Sequence, residues 1–359
     1  MMTWLILAAG LVMLIIGADL LVKGAARLAA AFGIPALVIG LTVVAFGTSA
    51  PELAVSVKAA FSGEAELAVA NVVGSNIVNV LLILGVSAVI LPLMISKQLI
   101  RQDVPIMVGL SVLLVMMVQD GQLSKVEAFI LVIALLSYTW FLFWQGKKQG
   151  ANVGDDEVKE LLAEPHPVWQ SVAFVVVGLV FLVLGSGWLV DSAVQLATAW
   201  GVSEAVIGLT IVAIGTSMPE MMTSVVAAIK GERDIAVGNV VGSNIFNIVC
   251  VLGISGLVSP TPLLVGSQLA QIDIPVMLAV AMLCVPFFFV GALLNRIEGA
   301  LFLVLYAAYT WYLIAVALSK PYLAQLQDGI MYGLVPVVLV YVVLSLLHDF
   351  RVRAKKGSA

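Results

Sequence analysis

Apolar runs long enough for the roughly 20 residues of a membrane helix recur along nearly the whole chain. They predict spans near 3–22, 34–60, 67–95, 104–119, 126–145, 168–190, 203–229, 235–258, 274–293, 297–318 and 330–348. One interval breaks the pattern, Gln145 to Pro167, which carries Asp155, Asp156, Glu157 and Glu160. The expected fold is an all-α polytopic membrane protein, with five spans before this polar linker and six after it.

The two halves repeat each other. Ala45-Phe46-Gly47-Thr48-Ser49-Ala50-Pro51-Glu52 returns as Ala213-Ile214-Gly215-Thr216-Ser217-Met218-Pro219-Glu220. Asn71-Val72-Val73-Gly74-Ser75-Asn76 returns as Asn239-Val240-Val241-Gly242-Ser243-Asn244 at the same offset, and Tyr138-Thr139-Trp140 recurs as Tyr309-Thr310-Trp311. Glu52 falls in the second predicted span and Glu220 in the seventh. Five crossings separate them, an odd number, so the repeats run through the bilayer in opposite directions. Inverted repeats of this kind place an ion site near mid-membrane, between the halves.

Composition agrees. The chain is 62% hydrophobic and 11% charged, with mean hydropathy +1.16, where soluble domains are roughly half apolar and a quarter charged. A net charge of -4 with no dense basic patch excludes a nucleic-acid surface. Of the 17 Lys and Arg, all but Lys58, Lys125 and Lys320 fall on one side of the predicted topology. The positive-inside rule then places the N-terminus outside and the C-terminus in the cytoplasm. Met1-Met2-Thr3-Trp4 lacks the positive start of a signal peptide, so the first run reads as a retained span. Cys250 and Cys284, in apolar stretches, read as small buried thiols.

A carboxylate in the middle of a membrane helix costs about 2.5–3.5 kcal/mol on insertion scales, and here two occupy matching positions with no Lys or Arg at that depth. Thr48 and Ser49 stand four and three residues before Glu52, and Thr216 and Ser217 stand likewise before Glu220, which on a helix gives them a shared face. Pro51 and Pro219 remove a backbone donor and crowd the carbonyls of Gly47 and Gly215, so both helices should break there. Asn71, Ser75 and Asn79 recur at helical spacing, as do Asn239, Ser243 and Asn247, giving each following span a polar stripe. All these groups offer oxygen, which suits a hard cation and disfavours zinc or copper. His166 and His348, at the linker and a span end, are expected to be solvated. Asp103 and Asp273, each followed two residues later by proline, read as helix caps. Asp19, Lys23 and Asp191 read as interfacial residues, and Lys125/Glu127 and Arg296/Glu298 as surface pairs.

With these motifs the sequence resembles the calcium/cation antiporter superfamily, most of all the bacterial and archaeal sodium/calcium exchangers. Gly47 to Glu52 and Gly215 to Glu220 look like its two alpha-repeat signatures, and the likeness runs over residues 1 to about 318. The resemblance implies alternating access, with spans 1 and 6 sliding past a rigid core. It further implies calcium held by Glu52 and Glu220 with oxygen of Thr48 and Thr216. Sodium would use Ala45, Ser49, Ser75 and Glu52 on one side, and Ala213, Ser217, Ser243 and Glu220 on the other. Asn79 and Asn247 would complete the centre. Some relatives carry Asp at those two positions, and in a potassium-dependent branch that Asp is tied to potassium, so potassium dependence is not expected here.

The reading that follows is a secondary antiporter exchanging Na+ for Ca2+ in a bacterial or archaeal inner membrane. It needs no cofactor, obligate protein partner or enzymatic residues. Residues 1–145 form the first half, 146–167 a cytoplasmic linker, 168–318 the second half, and 319–359 an extra span with a basic cytoplasmic tail. Two alternatives keep the same site. Calcium/proton exchange would use the glutamates as proton carriers, and a passive cation channel would need no counter-ion.

Overall fold

The structure, a computed structural model, describes residues 2–150, 167–202, 207, 210–211 and 213–357. Most of the expected linker and His166 lie outside the described residues. Among these residues nine helices are long and apolar enough to cross a membrane, and the bent pair Ala36–Thr48 and Ala50–Phe61 makes ten. The seventh expected span is described without interruption from residue 213 onward, as Ala213–Thr216 followed by Met218–Ile229. The chain is a multi-pass, all-helical membrane protein.

Spans 1 and 6 run further than the apolar runs suggested. Span 1 is Met2–Phe32 and span 6 is Val168–Ala199. At 1.5 Å per residue the first is about 46 Å long, well beyond a hydrocarbon core of about 30 Å. Asp19 and Lys23, expected at a span end, sit within span 1 and are paired there. Asp19 pairs with Lys23 at 2.8 Å one turn on, and with Lys230 at the end of span 7, while Arg27 lies 5.2 Å from the Phe174 ring centroid. The two long helices pack on each other through glycine. A Cβ on Gly17 would fall 2.9 Å from the Gly178 carbonyl, and one on Gly10 2.8 Å from the Gly185 carbonyl, so no larger residue allows this approach.

Spans 3 (Ala65–Ile90) and 8 (Arg233–Val258) are the most buried of the candidate spans and form the centre of the molecule. Each winds into a wider π-helical stretch, Val78–Leu84 and Asn247–Leu252, a distortion that often marks functional sites. Span 3 stops at Ile90, short of the expected 95, because Leu91 precedes Pro92 and is driven to extended backbone (φ -141°, ψ 123°).

The chain after span 3 supplies a short exception to the all-helical expectation. Strand β1 (Leu93–Met94) pairs antiparallel with β4 (Leu293–Leu294), and β2 (Gln122–Leu123) with β3 (Leu263–Leu264). Each two-residue ladder joins one half to the other. Two residues are too few to leave a periodic signal in a sequence.

Several polar positions are also reassigned. Asp103 and Asp273 cap nothing, because π-helical turns Leu99–Asp103 and Leu269–Asp273 carry the helix through them and leave no free helix start. Instead Asp103 accepts from Tyr138 (3.2 Å), Gln98 and Gln102, and Asp273 accepts from Tyr309 at 2.8 Å. The repeated tyrosines therefore tie span 4 (Leu99–Asp120) to span 5 (Lys125–Gly150), and span 9 (Leu269–Phe289) to span 10 (Arg296–Ala317). Glu127 and Glu298 are not surface partners of their neighbours. Glu298 is fully buried and closes a capping box with Asn295, and Glu127 does the same with Ser124. Span 11, within Leu323–Arg351, packs on spans 9 and 10, with Tyr341 edge-on to Phe287 at 6.0 Å.

Candidate functional site

The prolines break both helices as expected. Span 2 bends by 45° between Ala36–Thr48 and Ala50–Phe61. Ser49 (φ -80°, ψ 7°) and Ser217 (φ -88°, ψ 9°) are the hinge residues, and Glu52 and Glu220 each fall in the first turn of the second half-helix. There the unpaired N–H groups and the helix dipole favour a negative side chain.

The break also changes what the hydroxyls face. On an unbroken helix Thr48 and Ser49 would flank Glu52, but across the hinge they serve the other half. Ser49 Oγ donates to Glu220 Oε1 at 3.0 Å, and Ser217 Oγ donates to Glu52 Oε1 at 3.2 Å. Thr48 Oγ1 donates to Asn239 Oδ1 at 3.0 Å and lies 3.3 Å from the Ala45 carbonyl. That carbonyl also accepts the Ser49 N–H, so it is occupied within the helix. Thr216 is partly buried beside Ser217, and Ala213 opens the short helical turn that leads to them.

The two asparagine stripes divide into separate roles. Asn71 Nδ2 donates to the Glu52 main-chain carbonyl (3.2 Å) and Ser56 Oγ (2.9 Å), and Asn239 Nδ2 makes the equivalent bonds to Glu220 and Ser224. These two hold the glutamate backbones from behind. Ser75 Oγ reaches Glu52 Oε1 at 3.5 Å, whereas its counterpart Ser243 Oγ has no partner. Asn79 Nδ2 donates to Asn244 Oδ1 and Asn247 Nδ2 donates to Asn76 Oδ1, both at 3.0 Å. Asn76 and Asn244 close the two repeated segments, and sequence alone points to no role for them. Their identical offset was the available signal.

Glu52, Glu220, Asn79, Asn247 and Ser243 are all at most 1% exposed. Glu52 Oε2, Glu220 Oε2, Asn79 Oδ1, Asn247 Oδ1 and Ser243 Oγ are buried with no hydrogen-bond partner. Among the described residues neither glutamate has an ion-pair partner. Buried polar atoms are nearly always paired, so five unmet oxygens on residues that the sequence singles out call for a partner.

The sodium/calcium exchanger protein family matches residues 2–144 and 170–315, nearly all of both halves. The chain belongs to this family. It is 33% identical over 340 residues to the sodium/calcium exchanger MaX1 of Methanosarcina acetivorans, covering 85% of this chain and 97% of that one. It is 37% identical over 310 residues to the putative antiporter CaxA of Alkalimonas amylolytica, covering 85% and 96%. Its fold matches the solved sodium-calcium exchanger NCX_Mj soaked with Na+ and Ca2+, at TM-score 0.74 and 30% identity over 88% of this chain and 98% of the other. The inverted pair of repeats is that of the exchanger fold. In this exchanger-family chain, span 11 lies beyond the region the family matches.

Proposed function

We propose that this protein is a cation antiporter that exchanges Na+ for Ca2+ by alternating access. The observation that carries the reading is the set of unmet oxygens on Glu52, Glu220, Asn79, Asn247 and Ser243. Two carboxylates buried without a counter-charge are strongly unfavourable, and a hard cation supplies both the charge and the coordination. Two glutamates neutralise one Ca2+ or share their charge among several Na+. Thr48, Thr216, Ala45, Ala213, Ser49, Ser217 and Ser75 complete the shell with hydroxyl or main-chain oxygen as the ions alternate.

Movement follows from the same energetics. A bare, doubly charged cage is costly to carry through an occluded state, while a filled cage is neutralised, so exchange is favoured over leak. Spans 1 and 6, joined along their glycines, would slide as one unit against the core. Residues 1–145 and 168–318 are then the two working halves, 146–167 is the cytoplasmic linker, and 319–359 adds the extra span and its tail. The lysine and arginine distribution supports an external N-terminus and a cytoplasmic C-terminus in an inner membrane.

Calcium uptake into proteoliposomes, with sodium, proton and potassium gradients imposed separately, tests this. Uptake driven by an outward sodium gradient alone is expected. Uptake driven only by a proton gradient would make the protein a calcium/proton exchanger, and uptake with no counter-ion would make it a channel.

A further inference from the structure

An asparagine ligand has a weakness that a carboxylate lacks. One end of its amide is an acceptor oxygen and the other a donor nitrogen, and a half-turn about its last bond replaces a cation ligand with a group that repels the cation. Resting on the cation-site reading above, we propose that Asn76 and Asn244 are positioning residues that fix which end of the Asn247 and Asn79 amides faces the ion.

The bonds run outward from the cage in two arms. In the first, Asn247 Nδ2 donates to Asn76 Oδ1 at 3.0 Å, which leaves Asn247 Oδ1 as the free end. Asn76 is held in turn, because its Nδ2 donates to the Asn244 main-chain carbonyl at 3.2 Å and lies 3.6 Å from Met277 Sδ. Neither a carbonyl nor a thioether can donate, so reversing Asn76 would set its oxygen against another acceptor. In the second arm Asn79 Nδ2 donates to Asn244 Oδ1 at 3.0 Å, leaving Asn79 Oδ1 free. Here Asn244 Nδ2 has the thioether of Met107, at 3.5 Å, as its acceptor. Asn76 and Asn244 are 3% and 2% exposed, so water does not offer an alternative partner.

The arms are symmetric in design and unequal in strength. Asn76 is anchored by a main-chain carbonyl as well as sulfur, and Asn244 by sulfur. Each arm also crosses between repeats, since spans 3 and 8 orient each other's ligand.

The test is a pair of double-mutant cycles, read as calcium affinity by calorimetric titration of the purified full chain. Asn76→Leu is expected to weaken calcium binding about tenfold where residue 247 is Asn. In the Asn247→Asp background it is expected to cause no loss of affinity, because a carboxylate presents oxygen either way round and cannot use Asn76 Oδ1 as an acceptor. Equal losses in both backgrounds would show a merely structural role and overturn the proposal, as would no loss in the wild-type background. Asn244→Leu with Asn79→Asp gives the same reading on the other arm if Asn76→Leu does not fold. Met107→Leu and Met277→Leu conserve volume, and Met107→Leu is expected to cost more affinity; the reverse order would contradict the anchoring argument. Wild-type protein that bound no calcium at all would instead overturn the functional reading on which the proposal rests.

Discussion

Ser49 of the first repeat donates its hydroxyl to Glu220 of the second at 3.0 Å, across the boundary between the halves. Ser217 returns the bond to Glu52 at 3.2 Å. Each carboxylate is thereby held by the hinge of the opposite broken helix, with one oxygen hydrogen-bonded and the other buried without a partner. A hinge that moves relative to the other half therefore moves against the opposite carboxylate directly.

That coupling predicts the behaviour of Ser49→Ala. A hydrogen bond to a charged acceptor contributes about 1.5–3 kcal/mol, so its loss should weaken apparent sodium affinity by about tenfold or more. Sodium-dependence curves of calcium efflux from proteoliposomes would show this, and an unchanged half-saturation would contradict it.

The glutamates should trade stability against function. Glu52→Gln or Glu220→Gln removes an uncompensated buried charge, so the cation-free protein should become more stable by about 1 kcal/mol or more. Thermal unfolding in detergent with chelator present reads this directly. A lower midpoint for both variants would argue that the carboxylates already have partners.

Calcium itself should stabilise the wild-type chain. A ligand at 100 times its dissociation constant adds about 2.7 kcal/mol, so the unfolding midpoint should rise with calcium and rise no further in the Gln variants. Magnesium, which demands tighter octahedral geometry, should shift it less.

The Asp103–Tyr138 and Asp273–Tyr309 pairs lie outside the cage and join neighbouring spans within each half. Tyr138→Phe leaves a buried carboxylate short of a donor and should cost about 1–3 kcal/mol of stability, with calcium affinity changed less than about twofold. A loss of affinity without loss of stability would place this pair in the transport machinery.

Much of this arrangement was legible in the sequence. Proline after a Gly-Thr-Ser segment forces a helix break, and an intramembrane glutamate beside it needs an oxygen-rich explanation, so Glu52, Glu220 and the inverted repeat followed from residue chemistry. The destinations of the hydroxyls did not. Helical spacing assumes an unbroken helix, and the hinge at Ser49 sends Thr48 to Asn239 and Ser49 to Glu220 instead. Span 1 outruns its apolar stretch because Asp19 and Lys23 find partners inside the helix, and charge alone does not reveal pairing. Asp103 and Asp273 look like caps in sequence because local sequence shows the proline but not the π-helical turn before it. Asn76 differs from Asn79 only in what lies across the repeat interface, which no single stretch of sequence displays.

Calcium titration of the purified protein in rising sodium shows whether Glu52 and Glu220 hold the exchanged cation together. Calcium binding is expected to be saturable and to be displaced competitively by sodium. Removing either charge should cost about 3–5 kcal/mol, a loss of at least about 100-fold in affinity for Glu52→Gln or Glu220→Gln. Wild-type affinity for calcium in the doubly substituted protein would contradict it.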